Sequence, residues 1–167
     1  AGQVNDLLPR AKVSIASVTK DVERLIAEVK EDPLAALKNH AERFDGVVPQ
    51  SFRVSREDMQ VALAELNPEL RVAIETSIAR VRKVSEATLP NAVTVALGTG
   101  AEVSQVFVPV DSVGLYVPGG KAVYPSSVIM NAVPAMVSKV PRIVVCSPAQ
   151  KENSGLPNPT ILATCAL

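Results

Sequence analysis

The hydrophobic pattern changes period once along this chain, near Pro90. Before that point apolar positions recur every three or four residues; beyond it they alternate or run in short blocks. In "SVTKDVERLIAEVKE" the residues Val18, Val22, Leu25, Ile26 and Val29 share one stripe, which predicts an amphipathic helix with one buried side. Asp32-Pro33 ends that helix and opens the next, "PLAALKNHAERF", since Asp accepts from first-turn amides and Pro needs no donor there. Asp45-Gly46 closes it with a turn. Ser55 and Asp58 have the spacing of a capping box for a helix reaching Leu66. Asn67-Pro68 repeats the cap-and-proline device for a long helix striped by Leu70, Ile74, Ile78 and Val81. Arg80, Arg82 and Lys83 near its far end suit the helix dipole and read as a solvated helix end.

Beyond Pro90, "VTVAL" and "EVSQVFVPV" flank Gly98-Thr99-Gly100, a hairpin signal. Next come an apolar strand "VGLYV", a Pro-Gly-Gly loop, a helix from about Ser126, a second apolar strand "RIVVCS", and a last helix capped by Asn158-Pro159. A β-α-β-α order with strands apolar on both sides predicts a parallel sheet covered by helices. The fold class is therefore α/β: a helical region over 1–90, a hairpin connection over 91–110, and an incomplete parallel sheet over 111–167. With only two such strands, the sequence is expected to stop within a domain.

Composition narrows the function classes. In 167 residues, seventeen basic and seventeen acidic side chains cancel, and no Lys/Arg run is dense enough to follow a phosphate backbone, so nucleic acid is not an expected partner. Hydrophobic residues make up 47%, enough for a core, yet no stretch nears the roughly 20 apolar residues that span a bilayer. The N-terminus has no signal-peptide pattern, and Cys146 and Cys165 lack a metal or disulfide framework spacing, so a soluble, reduced protein is expected.

The candidate chemistry gathers at "VGLYVPGGKAVYPSSVIMNAVP". Ligands of open α/β sheets bind at the carboxyl ends of strands, where glycines let a ligand approach the backbone and helix amides point outward. Pro118, Gly119 and Gly120 lie at such an end. Tyr116 could offer a ring face and a hydroxyl, or be a half-buried residue of a tight connection, and Ser126 or Ser127 could cap the helix. Pro134 should bend that helix near Met130, while Met130 and Met136 read as space-filling stripe residues. His40, the single histidine, reads as a helix residue rather than a general base. One His and two separated Cys do not supply the three protein ligands of a catalytic zinc. Cys146, at the end of an apolar strand, reads as a small core residue or, in an aldehyde-oxidising alternative, as a nucleophile; Cys165 reads as core.

The stretch "VGLYVPGGKAVYPSSVIMNAVPA", with "RIVVCSPAQ" and "NPTILATCAL", closely resembles histidinol dehydrogenase, and "AERFDG" and "NPELRVAIETSIARVRKV" resemble that family's N-terminal region. The resemblance implies two incomplete Rossmann-like domains, an intertwined cytoplasmic homodimer, and active sites built from both subunits. It implies zinc-dependent oxidation of L-histidinol to L-histidine through an aldehyde, with two NAD molecules as acceptors, at the end of histidine biosynthesis. Of the family's functional residues it places only Tyr116, at the NAD site, with Pro118, Gly119 and Gly120 sharing its loop. It implies that zinc ligands, substrate contacts and a Glu-His proton-handling pair lie beyond Leu167, so that no catalytic or metal residue is expected in this chain. A fragment inactive alone is the expectation; a non-catalytic module or half-enzyme completed by a separate chain is the alternative.

Overall fold

The computed structural model describes residues 15–119 and 122–167, in two compact units, one ending at Phe44 and the other Asp45–Leu167. In the first, α1 (Ile15–Glu31) and α2 (Pro33–His40) meet at Asp32, whose Oδ1 accepts from the Ala35 amide at 3.2 Å. Past His40 the chain widens into a single π turn, Ala41–Asp45. Ala36 and Ala41 are buried, but Val18, Val22 and Ile26 stand exposed. Leu25 and Val29 are half-buried, so the expected burial of the α1 stripe is met only in part, because periodicity marks which side of a helix is apolar and not what covers it.

The second unit begins with two capped helices, α3 (Arg56–Ala64) and α4 (Pro68–Thr88). Ser55 Oγ accepts from the Asp58 amide at 3.0 Å and the Asp58 carboxylate in turn accepts from the Ser55 amide at 3.3 Å, the reciprocal box that the spacing predicts. Asn67 Oδ1 accepts from the amides of Glu69 and Leu70. The chain then forms an antiparallel hairpin, β1 (Val93–Gly98) and β2 (Ala101–Gln105), with a bulge between Ala96 and Gly98. Every residue of both strands is exposed, on both faces.

A β-α-β-α run completes the unit: β3 (Ser112–Tyr116), α5 (Pro125–Val137), β4 (Arg142–Cys146) and α6 (Pro159–Ala166). β3 and β4 pair in parallel, from Ser112 opposite Arg142 to Tyr116 opposite Cys146. This is the incomplete parallel sheet that the order of apolar blocks predicts. Its inner face carries Val113, Leu115, Ile143 and Val145; the alternate residues are exposed. Helices therefore cover one face only among the described residues, where strands apolar on both sides had suggested two.

α5 is the hub of the packing. One side of it sets Ile129 and Val133 against Ile74 of α4; another sets Val128 against Val117 and Ile161. α6 reaches further, placing Leu162 and Ala163 against Ala62 of α3. α5 runs unbroken across Pro134, and Met130 and Met136 are exposed, so neither methionine fills the core as the helix stripe had suggested. Among the described residues, no helix is long and apolar enough to cross a membrane.

The packing fixes a contrast in stability. Ile161, 1% exposed, is expected to cost about 2–5 kcal/mol when cut to Ala, whereas Leu97→Ala on the open hairpin should stay within about 0.5 kcal/mol of the parent. Urea unfolding of the two variants checks both values.

Candidate functional site

Parallel pairing brings the carboxyl ends of β3 and β4 side by side. One further bond, from the Val117 amide to the Cys146 carbonyl at 2.8 Å, carries the ladder a residue past Tyr116. Val117 is completely buried against Val128 and Ile161, so the chain leaves the sheet from a locked position. Side chains alternate across a strand, and burying Val117 throws Tyr116 onto the opposite, open face. There Tyr116 is 64% exposed, which rules out a half-buried structural ring and leaves its face and hydroxyl to solvent.

Pro118 is exposed and Gly119 is buried; Gly120 lies outside the described residues. Gly119 is favoured by a close approach. A β-carbon added there would stand 2.8 Å from Ser147 Oγ, in the loop that follows β4. That hydroxyl is itself buried without a hydrogen-bond partner. The Gly119 carbonyl accepts from the side chain of Gln150, also in the β4 loop. Two loops separated in sequence are thus in contact at one end of the sheet.

α5 starts one residue before the expected serines. Tyr124 is its N-cap, Pro125 its first residue, and no side chain caps it. Ser126 and Ser127 fall inside the first turn, where the Ser127 amide already donates to the Tyr124 carbonyl at 3.0 Å. Tyr-Pro here does what Asp-Pro and Asn-Pro do elsewhere in the chain, without the capping oxygen. The result is a helix N-terminus following the glycine loop with no side-chain acceptor on its amides.

Other candidates resolve differently. Cys146 is exposed and sits opposite Tyr116, correcting its assignment to the core: it ends a strand on the outward phase. Cys165 packs beside the cluster of Val117, Val128 and Ile161, and burial pushes its thiol up to about 11, which disfavours the thiolate a nucleophile needs. His40 Nε2 lies 2.7 Å from Glu28 Oε2, and this bond is the main reason that the Glu28 carboxyl is held below its usual range. That pairing, within the first unit, gives His40 a structural role. Among the described residues no three His, Cys, Asp or Glu side chains are grouped to hold a metal ion. A cleft of about 310 Å³ between α3 and α6 is walled by Val61, Leu156 and Leu162, and the Asp58 carboxylate at its rim is already spent on the capping box.

Ser147 and Gln150 are the residues of this loop contact that motif reading missed. Their position just past an apolar strand was the available signal, but neither belongs to a local pattern. Their contact with Gly119 has a measurable signature. Gly119→Ala should destabilise the chain by about 1 kcal/mol through overpacking against Ser147 Oγ, and adding Ser147→Ala should remove most of that cost. Ser147→Ala alone should be close to neutral, since it deletes a buried hydroxyl that makes no bond. Denaturant unfolding of the two single variants and the double variant tests the coupling.

Comparison with known proteins shows the family of the chain. The family model described as histidinol dehydrogenase matches residues 8–167. The histidinol dehydrogenase of Bifidobacterium longum is 47% identical over 161 residues, covering 96% of this chain and 34% of that protein. The enzyme of Corynebacterium diphtheriae is 48% identical over 160 residues, covering 96% and 36%. The crystal structure of histidinol dehydrogenase from Elizabethkingia anophelis superposes with a TM-score of 0.81 at 28% identity, over 88% of this chain and 34% of that one. The chain spans about a third of the length of the relatives it matches. With the family model matching nearly from end to end, this chain belongs to the histidinol dehydrogenase family.

Proposed function

We propose that this chain contributes one wall of the NAD site of a histidinol dehydrogenase, formed by Tyr116, Pro118, Gly119 and Gly120. The observation that carries the reading is the exposed Tyr116 ring next to a glycine turn at the carboxyl end of a parallel strand, in a member of this family. An exposed aromatic face offers a planar ring a stacking surface, and the buried Gly119 draws the loop backbone tight against the β4 loop. The uncapped start of α5 adds amides suited to an anionic group. When bound, NAD would supply the hydride acceptor: two molecules in turn would each take one hydride, together the four electrons released as L-histidinol becomes L-histidine through the aldehyde.

Zinc does not fit the residues described, which offer no group of donors to hold it, so no step is assigned to a metal in this chain. No catalytic residue is assigned to it either. In the cytoplasmic homodimer proposed here, turnover, zinc binding and L-histidinol recognition would then depend on sequence equivalent to the two thirds of the relatives that this chain does not cover. Alone, the 167-residue chain is expected to bind NAD weakly and to form no NADH from histidinol.

A second reading, a half-enzyme completed by a separate chain, is favoured by the hairpin, whose apolar residues Val93, Val95, Leu97 and Val103 are all exposed. Adding in trans a chain with the relatives' remaining length separates the two readings: no complex on mixing removes the half-enzyme.

Calorimetric NAD titration tests the site. Tyr116→Ala should weaken binding about threefold to tenfold, the loss expected for one aromatic stacking contact, and Tyr116→Phe should recover most of it. Equal affinity in all three proteins would remove Tyr116 from the site.

A further inference from the structure

Gln150 is 7% exposed, and every polar group it carries is engaged. Its amide donates to the Leu156 carbonyl at 3.0 Å, and its carbonyl accepts from the amides of Gly155 at 2.9 Å and Asn153 at 3.2 Å. These bonds close the 150–156 loop on itself, around a single 3₁₀ turn, Lys151–Asn153. Ser154 and Gly155 turn the chain through left-handed conformations, with φ of 55° and 85°. A β-carbon on Gly155 would stand 3.0 Å from Pro49 Cα, so the loop is also seated against the segment that precedes α3. The Gln150 backbone therefore cannot shift without breaking its own loop.

The side chain of Gln150 leaves that fixed base and crosses to the other loop. Its Oε1 accepts from Asn153 Nδ2, which orients the amide, and its Nε2 then faces the Gly119 carbonyl and donates to it. This bond spans 31 positions of sequence and is the only side-chain hydrogen bond recorded to Pro118 or Gly119 among the described residues. We infer that Gln150 is a positioning residue: anchored by its own loop and oriented by Asn153, it pins the Pro118-Gly119 turn and so sets the backbone that faces NAD. The pin stands on geometry alone; its consequence for NAD rests on the function proposed above.

The molecule carries a reporter for this. It has two tyrosines and no tryptophan, and Tyr116 and Tyr124 bracket the turn, so all tyrosine emission comes from its two flanks. Gln150→Met keeps the shape and loses the donor; Gln150→Glu keeps the acceptor for Asn153 but sets a carboxylate against the Gly119 carbonyl. Steady-state tyrosine anisotropy should fall from the parent to Gln150→Met and further in Gln150→Glu, and NAD affinity by calorimetry should fall in the same order, at least fivefold in Gln150→Glu. A residue that merely held its own loop would leave the anisotropy unchanged, and anisotropy equal to the parent's in both folded variants would overturn the pin. Lowered anisotropy with unaltered NAD affinity would uphold the pin and overturn the NAD reading instead.

Discussion

The site depends on one constraint, the parallel pairing of β3 and β4 carried one residue further by the Val117–Cys146 backbone bond. A parallel pair needs a crossover, and α5 supplies it while meeting three partners: α4, the sheet and α6. Once Val117 is locked into the cluster with Val128 and Ile161, the phase of β3 is settled. Tyr116 must then face outward and Gly119 must pass close to Ser147. The open ring and the tight turn are two outcomes of one register, and slipping it by a residue would exchange the buried and exposed sets.

Much of this is local enough to be legible in the sequence. Asp32, Ser55, Asn67 and Asn158 all accept the amide bonds that their spacing predicts, because a cap involves residues two or three apart. The hairpin at Gly98-Thr99-Gly100 and the β-α-β-α order are equally local signals. What escaped is phase and distance. After Arg142, "IVVC" is apolar throughout, so nothing in it tells that Ile143 and Val145 turn inward while Cys146 turns out. Met130 and Met136 lie on a helix so apolar that its stripe has no sharp edge. Gln150 carries no motif at all; its bond to Gly119 exists only after the fold has brought two loops together. Tyr116 and its loop were singled out by the strand-glycine-helix pattern and by family resemblance, and the structure adds that the ring is exposed and that a larger residue at 119 would crowd Ser147 Oγ.

The apolar surface left open belongs to the same picture. The hairpin is exposed on both faces, and the sheet is covered on one side only among the described residues. Relatives in which this chain's counterpart is about a third of the length have ample further sequence with which to cover such faces.

The central claim, that NAD meets this chain at the joined carboxyl ends of β3 and β4, is tested most directly by amide resonances of the isotope-labelled protein titrated with NAD. The account predicts saturable shifts concentrated at Tyr116, Val117, Gly119, Ser147 and Gln150, with the α3–α6 cleft around Val61 and Leu162 unmoved. Shifts centred on that cleft, or none at the β3 and β4 ends, would contradict it.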